Sequence, residues 1–232
     1  MQKGRFKPFT FTVRPYRPED WEAVRALCCD LGFLGKSIEH IFQDRKWFAD
    51  LSTKYYLKCE PDSCFVADVD GQVVGYVLGS RHHLKFRFVF YFLIAAPLFA
   101  KAFFKYITRA YDKKSRTYIK KLVFVGGRDR ARRPKKAAHI HTNIREEFRT
   151  LSVGKALYRS LFRHFLKEKV TLVWSELFHS DVIRTERFYS FYRFHIYDKK
   201  PTDIFENEFG KMYMMTITTD LTQKEVQHLW GL

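Results

Sequence analysis

One stretch constrains this chain more than any other. Residues 81–136 hold 17 of its 42 lysines and arginines but only 2 of its 25 acidic residues. That stretch carries +15 of the formal net charge of +17, so the rest of the 232 residues is nearly neutral. This charge localisation is the clearest compositional boundary in the chain. The same stretch also holds 12 of the 41 aromatic residues, so it is no simple solvated tail. With 46% hydrophobic residues the chain excludes bulk disorder, and its length suits one domain with an elaboration. The charge calls for a polyanionic partner: nucleic acid, an anionic membrane or a phosphorylated ligand.

The flanks read as alternating strands and helices. Phe9 to Arg14 alternates apolar and polar residues, as a half-buried strand does. Arg17-Pro18-Glu19-Asp20 opens a helix, with Trp21, Val24, Leu27 and Leu31 at helical spacing. A second helix is expected from Ser37 to about Lys54. Cys64–Val69 and Gln72–Leu78 flank Asp70-Gly71, a strong short hairpin signal. After the basic stretch come a strand at Ala138–Ile144, a helix from about Val153 to Lys167 and a strand at Val170–Trp174. A short helix from about Ile183 to Tyr192 and a closing strand at Met212–Ile217 complete the set. The order is β-α-α-β-β, the basic stretch, then β-α-β-α-β-β, a mixed α/β layer arrangement of α+β type.

Chemistry concentrates at Ile144–Leu157, where a strand ends, a tight turn follows and a helix begins near Gly154. Backbone N–H groups at a helix start lack partners and sit at the positive end of the helix dipole, so they bind phosphate. Read alone, this is equally an ordinary strand–helix turn. Its residues, however, resemble the cofactor motif Q/R-x-x-G-x-G/A of the GNAT acetyltransferase superfamily. Arg149, Ser152 and Gly154 stand at the matching positions, with serine in place of the first glycine. Downstream, Arg187-Phe188-Tyr189-Ser190-Phe191-Tyr192-Arg193-Phe194 is similar to the family's F-Y-x-x-x-G-F, with Arg193 where glycine is usual. Upstream, the first strand, the Arg-Pro-Glu-Asp start and the Asp-Gly hairpin follow the family's order. The likeness covers about three-quarters of the chain, everything but the basic stretch, which becomes an insert (81–136) between strands 3 and 4 of a GNAT domain spanning 9–220.

The resemblance implies an acyl-CoA N-acyltransferase fold and activity, with acetyl-CoA or another acyl-CoA as cofactor, no metal, and an amine-bearing acceptor. It implies that Ile144 and Arg145 meet the pantetheine arm. The amides of Thr150, Leu151, Ser152, Val153, Gly154, Lys155 and Ala156 would hold the pyrophosphate, and Arg149 and Lys155 would add positive charge. Tyr189 matches the tyrosine that protonates the departing thiolate; a phenol of pKa about 10 suits a thiolate of pKa about 8.5. His139, His141 and Asn143 share one face of their strand and resemble the H-x-H-x-D of a GNAT branch that includes acetyltransferase-like domains related to O-GlcNAcase. Asn143 can orient an acceptor but cannot take its proton, which leaves the two histidines as bases, with Glu176 in reserve. Structural, hydrogen-bonded histidines are an equal alternative.

In the insert, Phe88 to Ala100 is thirteen apolar residues between Arg87 and Lys101, short of the roughly 20 a bilayer crossing needs. With the aromatic and basic residues that follow to Tyr118, it suits peripheral docking on an anionic membrane, or a lipid-like acceptor. Two other readings stay open: a solvated basic face over an extra core element, and nucleic-acid binding through Arg128–Lys136. A non-catalytic GNAT-fold module that binds acyl-CoA or membrane is the alternative to an enzyme. Cys28, Cys29, Cys59 and Cys64 form no CxxC pair, and Met1–Pro8 has no apolar signal core. The expected setting is therefore the cytoplasm, peripherally at the inner face of a membrane, with a homodimer as one further expectation.

Overall fold

A computed structural model of the chain describes residues 9–124, 129–183, 185–204 and 210–232. Seven strands form one sheet in the order β1-β2-β3-β4-β5-β7-β6. They are β1 (Thr12–Pro15), β2 (Cys64–Val69), β3 (Gln72–Ser80), β4 (Ala138–Ile144), β5 (Leu172–His179), β6 (His195–Thr202) and β7 (Met212–Asp220). Every neighbouring pair is antiparallel except β4–β5. Asp70 (φ 51°) and Gly71 (φ 80°) both take left-handed backbone in the β2–β3 turn, which is why Asp-Gly stands there.

Helices α1 (Trp21–Asp30) and α2 (Arg45–Cys59) cover one face of the sheet. Val24, Leu27, Tyr55 and Tyr56 pack there on Val66, Tyr76 and Leu78. On the other face lies α5 (Leu151–Lys167), whose Val153, Leu157, Leu161 and Phe165 meet Ala67, Val77, Ile140 and Val173. A Cβ on Gly79 would lie 2.6 Å from Phe165 Cζ and 2.8 Å from Leu161 Cδ1, so α5 sits this close to β3 only because that residue is glycine. Two shorter helices, α6 (Arg187–Phe191) and α7 (Lys224–Trp230), complete this layer. Trp230 is fully buried and meets Phe162 edge to face at 5.6 Å.

Several boundaries differ from the sequence reading, each for a local reason. The second helix starts at Arg45 because Asp44 caps it, accepting from Trp47 N at 3.0 Å, while Ser37 caps a separate short turn at Ile38–His40. The strand expected to stop at Trp174 runs on to His179, because β7 pairs with it throughout, from Leu172–Asp220 to His179–Tyr213.

The largest correction concerns the insert. The apolar run is not an isolated thirteen residues but part of one 25-residue helix, α3 (His83–Ile107), followed by α4 (Lys113–Phe124). By length and composition α3 could cross a membrane. It continues through Pro97 by widening into π-helix at Val89–Ala95, where the missing proline N–H and the crowded carbonyl before it are absorbed. One face of the insert is an added core element. Ala102, Tyr111 and Ile119 pack on Ile38, Phe42 and Trp47, and Trp47 Nε1 donates to Leu98 O at 2.7 Å.

Candidate active site

The one parallel junction in the sheet makes the site. β4 and β5 pair only at Ala138–Val173 and His139–Trp174, and then part. Ser175 Oγ donates to Ile140 O at 3.1 Å and closes the apex of the split. Beyond it a cleft of about 550 Å³ opens between the strands. Arg145 N donates to Val74 O at 2.9 Å, which sets the phase of the β3–β4 ladder. By alternation, Ile140, Thr142 and Ile144 turn their backbone groups toward β5, where strand partners are gone. Arg149 occupies one of these, with its Nε and Nη2 donating to Ile144 O at 3.3 and 3.1 Å. Among the described residues β5 offers no ladder partner to Thr142 N–H or Ile144 N–H, which leaves them to meet whatever enters the cleft.

The start of α5 forms one wall. Thr150 is its N-cap, accepting from Val153 N at 3.4 Å, and Thr150 O takes Gly154 N at 3.2 Å. Thr150 N itself donates to Phe148 O at 2.8 Å. Lys155 and Ala156 are far enough into the helix to have intrahelical acceptors. The orphan donors are therefore the amides of Leu151 and Ser152, a narrower set than the Thr150–Ala156 span expected from the sequence. The helix also starts two residues earlier than expected. Ile144, Arg149, Thr150, Leu151 and Gly154 line the cleft; Arg145, Ser152, Val153, Lys155 and Ala156 are not part of that lining.

The two histidines part company. His141 lines the cleft with Asn143, whose Nδ2 donates to the buried Tyr76 Oη at 2.8 Å. His141 Nδ1 is buried and has no hydrogen-bond partner among the described residues. Burial pushes its pKa down to about 4, so a proton on it at pH 7 costs roughly 4 kcal/mol. His139 lies outside the cleft. Tyr56, Phe86 and Trp174 cage its ring, with centroids at 5.9, 5.7 and 4.3 Å. Tyr56 Oη lies 2.5 Å from its Nδ1. Burial, then Arg133, hold its pKa well below the usual histidine value. Burial likewise raises the Tyr56 hydroxyl well above 10, so the phenol donates and the imidazole accepts. His139 is packed and satisfied, the structural alternative noted above.

Glu176 is on the cleft wall but engaged. Arg133 grips its Oε2 through Nε (2.7 Å) and Nη2, and Arg130 Nε lies 3.5 Å from Oε1. Tyr189 is buried, on the one turn of α6, and faces the cleft. The sequence reading missed its neighbour: His179 Nδ1 lies 3.3 Å from Tyr189 Oη, and His179 Nε2 lies 3.0 Å from the exposed carboxylate of Asp181. The signal available was a histidine ending the strand after the helix, with an acid two residues on. His179, Asp181 and Glu186 are also close enough to share an ion. Lys199 already pairs with Glu186 at 2.6 Å, so these groups read as a hydrogen-bonded set.

Arg193, where a glycine is usual in the motif, takes left-handed backbone (φ 59°). Phe194 N donates to Tyr189 O and Arg193 N to Ser190 O, the paired bonds of a Schellman stop. The backbone keeps the glycine conformation and Arg193 bears the strain.

No family model and no curated protein sequence matches the chain. Solved structures do. SsHAT shares 22% identity over 92% of this chain and 100% of its own, with a TM-score of 0.58. An N-acetyltransferase from Staphylococcus aureus Mu50 shares 10% over 92% and 99%, with a TM-score of 0.53. YncA from Salmonella typhimurium, solved with its cofactor acetyl-CoA, shares 12% over 92% and 95%, also at 0.53. The chain has the GNAT N-acetyltransferase fold. In this GNAT fold the split parallel junction, the α5 start and the α6 tyrosine meet at one cleft, and the insert lies between β3 and β4, as the sequence implied.

Proposed function

We propose that the chain is an acyl-CoA-dependent N-acyltransferase working in the β4–β5 cleft. The observation that carries this is the meeting, in one cavity, of unpaired strand amides, an open helix N-terminus and Tyr189. The residues fit acyl-CoA: Leu151 and Ser152 N–H offer donors to a pyrophosphate, and Thr142 and Ile144 N–H offer them to a pantetheine arm and a thioester carbonyl. The thioester supplies an activated acyl carbon.

Each residue then has a role. A strand N–H polarises the carbonyl while the acceptor amine attacks; a C–N bond forms and the C–S bond breaks. Tyr189 gives its proton to the leaving sulfur and recovers one through His179, which reaches solvent by Asp181. From the sequence His141 is expected to strip a proton from an ammonium near pH 7; in this reading it has a different part. With its pKa near 4 it stays neutral, and Nδ1 accepts the N–H of an amine that arrives already as the free base. The proton shed on C–N formation passes to water.

Thiol release from acetyl-CoA and longer acyl-CoAs, followed across a panel of amines, tests the proposal. At least one amine should accelerate release above the hydrolytic background, and Tyr189→Phe should lower kcat while leaving acetyl-CoA affinity unchanged. Absence of amine-dependent release, or a Tyr189→Phe enzyme with full turnover, would contradict it.

A further inference from the structure

We infer that the outer face of α3 docks the protein flat on an anionic lipid bilayer, with lipid phosphates drawn into a basic cavity beside it. The inference is independent of the transfer chemistry. Seven large apolar residues of α3 are exposed, among them Phe88 (60%), Phe92 (65%), Leu93 (60%), Phe103 (63%) and Phe104 (64%). Only 17% of the helix's apolar window is buried in the protein. Leaving so much contiguous apolar surface in water is unfavourable by about 25 cal/mol per Å². Something of low polarity therefore belongs over it.

Charge selects the occupant. No acidic residue occurs from Gly71 to Tyr111. Among the described residues, Arg87, Lys101, Arg109, Lys113 and Lys114 join no ion pair. Arg87 and Lys101 stand among the exposed apolar residues along α3, and Arg109, Lys113 and Lys114 follow its end, so ammonium and guanidinium groups can sit at headgroup level over buried side chains. A single strand of nucleic acid binds by stacking its bases, and the exposed Leu84, Leu93 and Ile107 offer a base nothing to stack on.

A second observation lies at the N-terminal end of the same face. A cavity of about 700 Å³ opens between α3 and the segment before β4, and Leu84, Arg87 and Tyr91 of α3 line it. Opposite them stand Arg130, Lys135 and Lys136. Arg130 and Arg133 both donate to Tyr91 Oη, at 3.2 and 2.9 Å, so the basic rim is tied to the docking helix. Apolar contact and positively charged cavity therefore share residues.

Topology decides between lying on the membrane and crossing it. α3 is long enough to cross, but β3 and β4 are adjacent strands, so the chain has to return to the side it left. The returning α4 has 12 residues, about 18 Å, and carries Lys113, Lys114, Arg116, Lys120 and Lys121. The inner face of α3 is also fastened to the fold: Phe86, Ile94 and Ala102 are buried, and Lys105 pairs with Asp44 at 2.7 Å. The helix lies in the interface plane.

Flotation with vesicles of phosphatidylcholine containing phosphatidylglycerol, against phosphatidylcholine alone, tests this on the full chain. The wild type should float with the anionic vesicles. Phe92→Glu/Phe103→Glu, both at exposed sites, should lose binding by about tenfold or more. Arg87→Glu/Lys101→Glu should lose roughly fivefold per cation and weaken the salt dependence. Inorganic phosphate at millimolar concentration should compete only weakly; full release by it would mean a free-anion site and overturn the docking role. Two further results would also overturn it. One is equal flotation with neutral and anionic vesicles. The other is binding to single-stranded oligonucleotide that survives Phe92→Glu/Phe103→Glu, with no flotation at all. Unchanged circular dichroism in both variants separates lost docking from lost folding.

Discussion

The cleft and the insert use similar side chains under opposite rules. In the cleft, polar groups are few and inward: two open helix amides, a neutral imidazole and a buried phenol, each set by a neighbouring backbone or ring. In the insert, polar groups are many and outward, and the large apolar residues on the outer face of α3 stay uncovered. Lys or Arg in the cleft is engaged, as Arg149 is on Ile144 O and Arg133 on Glu176. Lys or Arg at the rim of α3 is largely unpaired. The difference teaches where binding energy is available: in the cleft for a ligand that must be placed to within a bond length, on α3 for a surface that need only be approached.

The sharpest way to break this contrast is to change the cleft by one oxygen. Tyr189→Phe keeps the packing and should cost about 100-fold or more in kcat, with liposome flotation unaffected. Turnover within a few-fold of wild type would move the proton donor elsewhere. His179→Gln should give a smaller loss, and a changed pH profile distinguishes a proton path from mere support of the ring.

A second test uses pH on stability. His139 and His141 have folded-state pKa values below the unfolded value of about 6.5. Between about pH 6.5 and 4 the unfolded chain binds protons that the native chain refuses. Stability is therefore full above 6.5 and falls as pH drops, by about 1.4 kcal/mol per pH unit for each histidine. The lowered carboxylates, Asp20, Asp44, Asp112 and Asp198, act in the same direction only below about pH 4, so the upper window isolates the imidazoles, the partly buried His164 among them. The melting temperature should fall from pH 6.5 to 4.5, and His141→Gln should remove about one proton's worth of that slope. A flat profile would mean that His141 charges freely.

The smallest effect expected is at Arg193. Arg193→Gly relieves a left-handed non-glycine residue and should raise stability by about 1 kcal/mol, or about 2–4 °C, without changing turnover. A fall in melting temperature would show that the arginine side chain contributes more than its backbone costs.

Much of this fold could be read from local pattern. Asp70-Gly71, the alternation at Ala138–Ile144 and the Leu157/Leu161/Phe165 spacing each name an element without tertiary help. The turn at Arg149–Gly154 pointed to the cleft, and Tyr189 is in it. What could not be read depends on contacts distant in sequence. His139 and His141 are indistinguishable as letters on one strand face; Tyr56 and Phe86 cage one, and the split from β5 opens the space beside the other. Glu176 looks like a free base until Arg133, 43 residues away, is found on it. α3 looks too short for a membrane while Arg87 and Lys101 are read as its limits, and the helix that runs on past both, absorbing Pro97 in a π-helical turn, leaves no local mark.

Titration calorimetry of acetyl-CoA against the wild type and Ser152→Glu tests the central claim most directly. A carboxylate in the first turn of α5 favours the helix dipole and should leave the melting temperature equal or slightly higher, yet it opposes a pyrophosphate at the same amides. The account predicts one-to-one binding by the wild type, weakened about tenfold or more in Ser152→Glu. No heat up to millimolar acetyl-CoA, or equal affinity in both proteins, would contradict it.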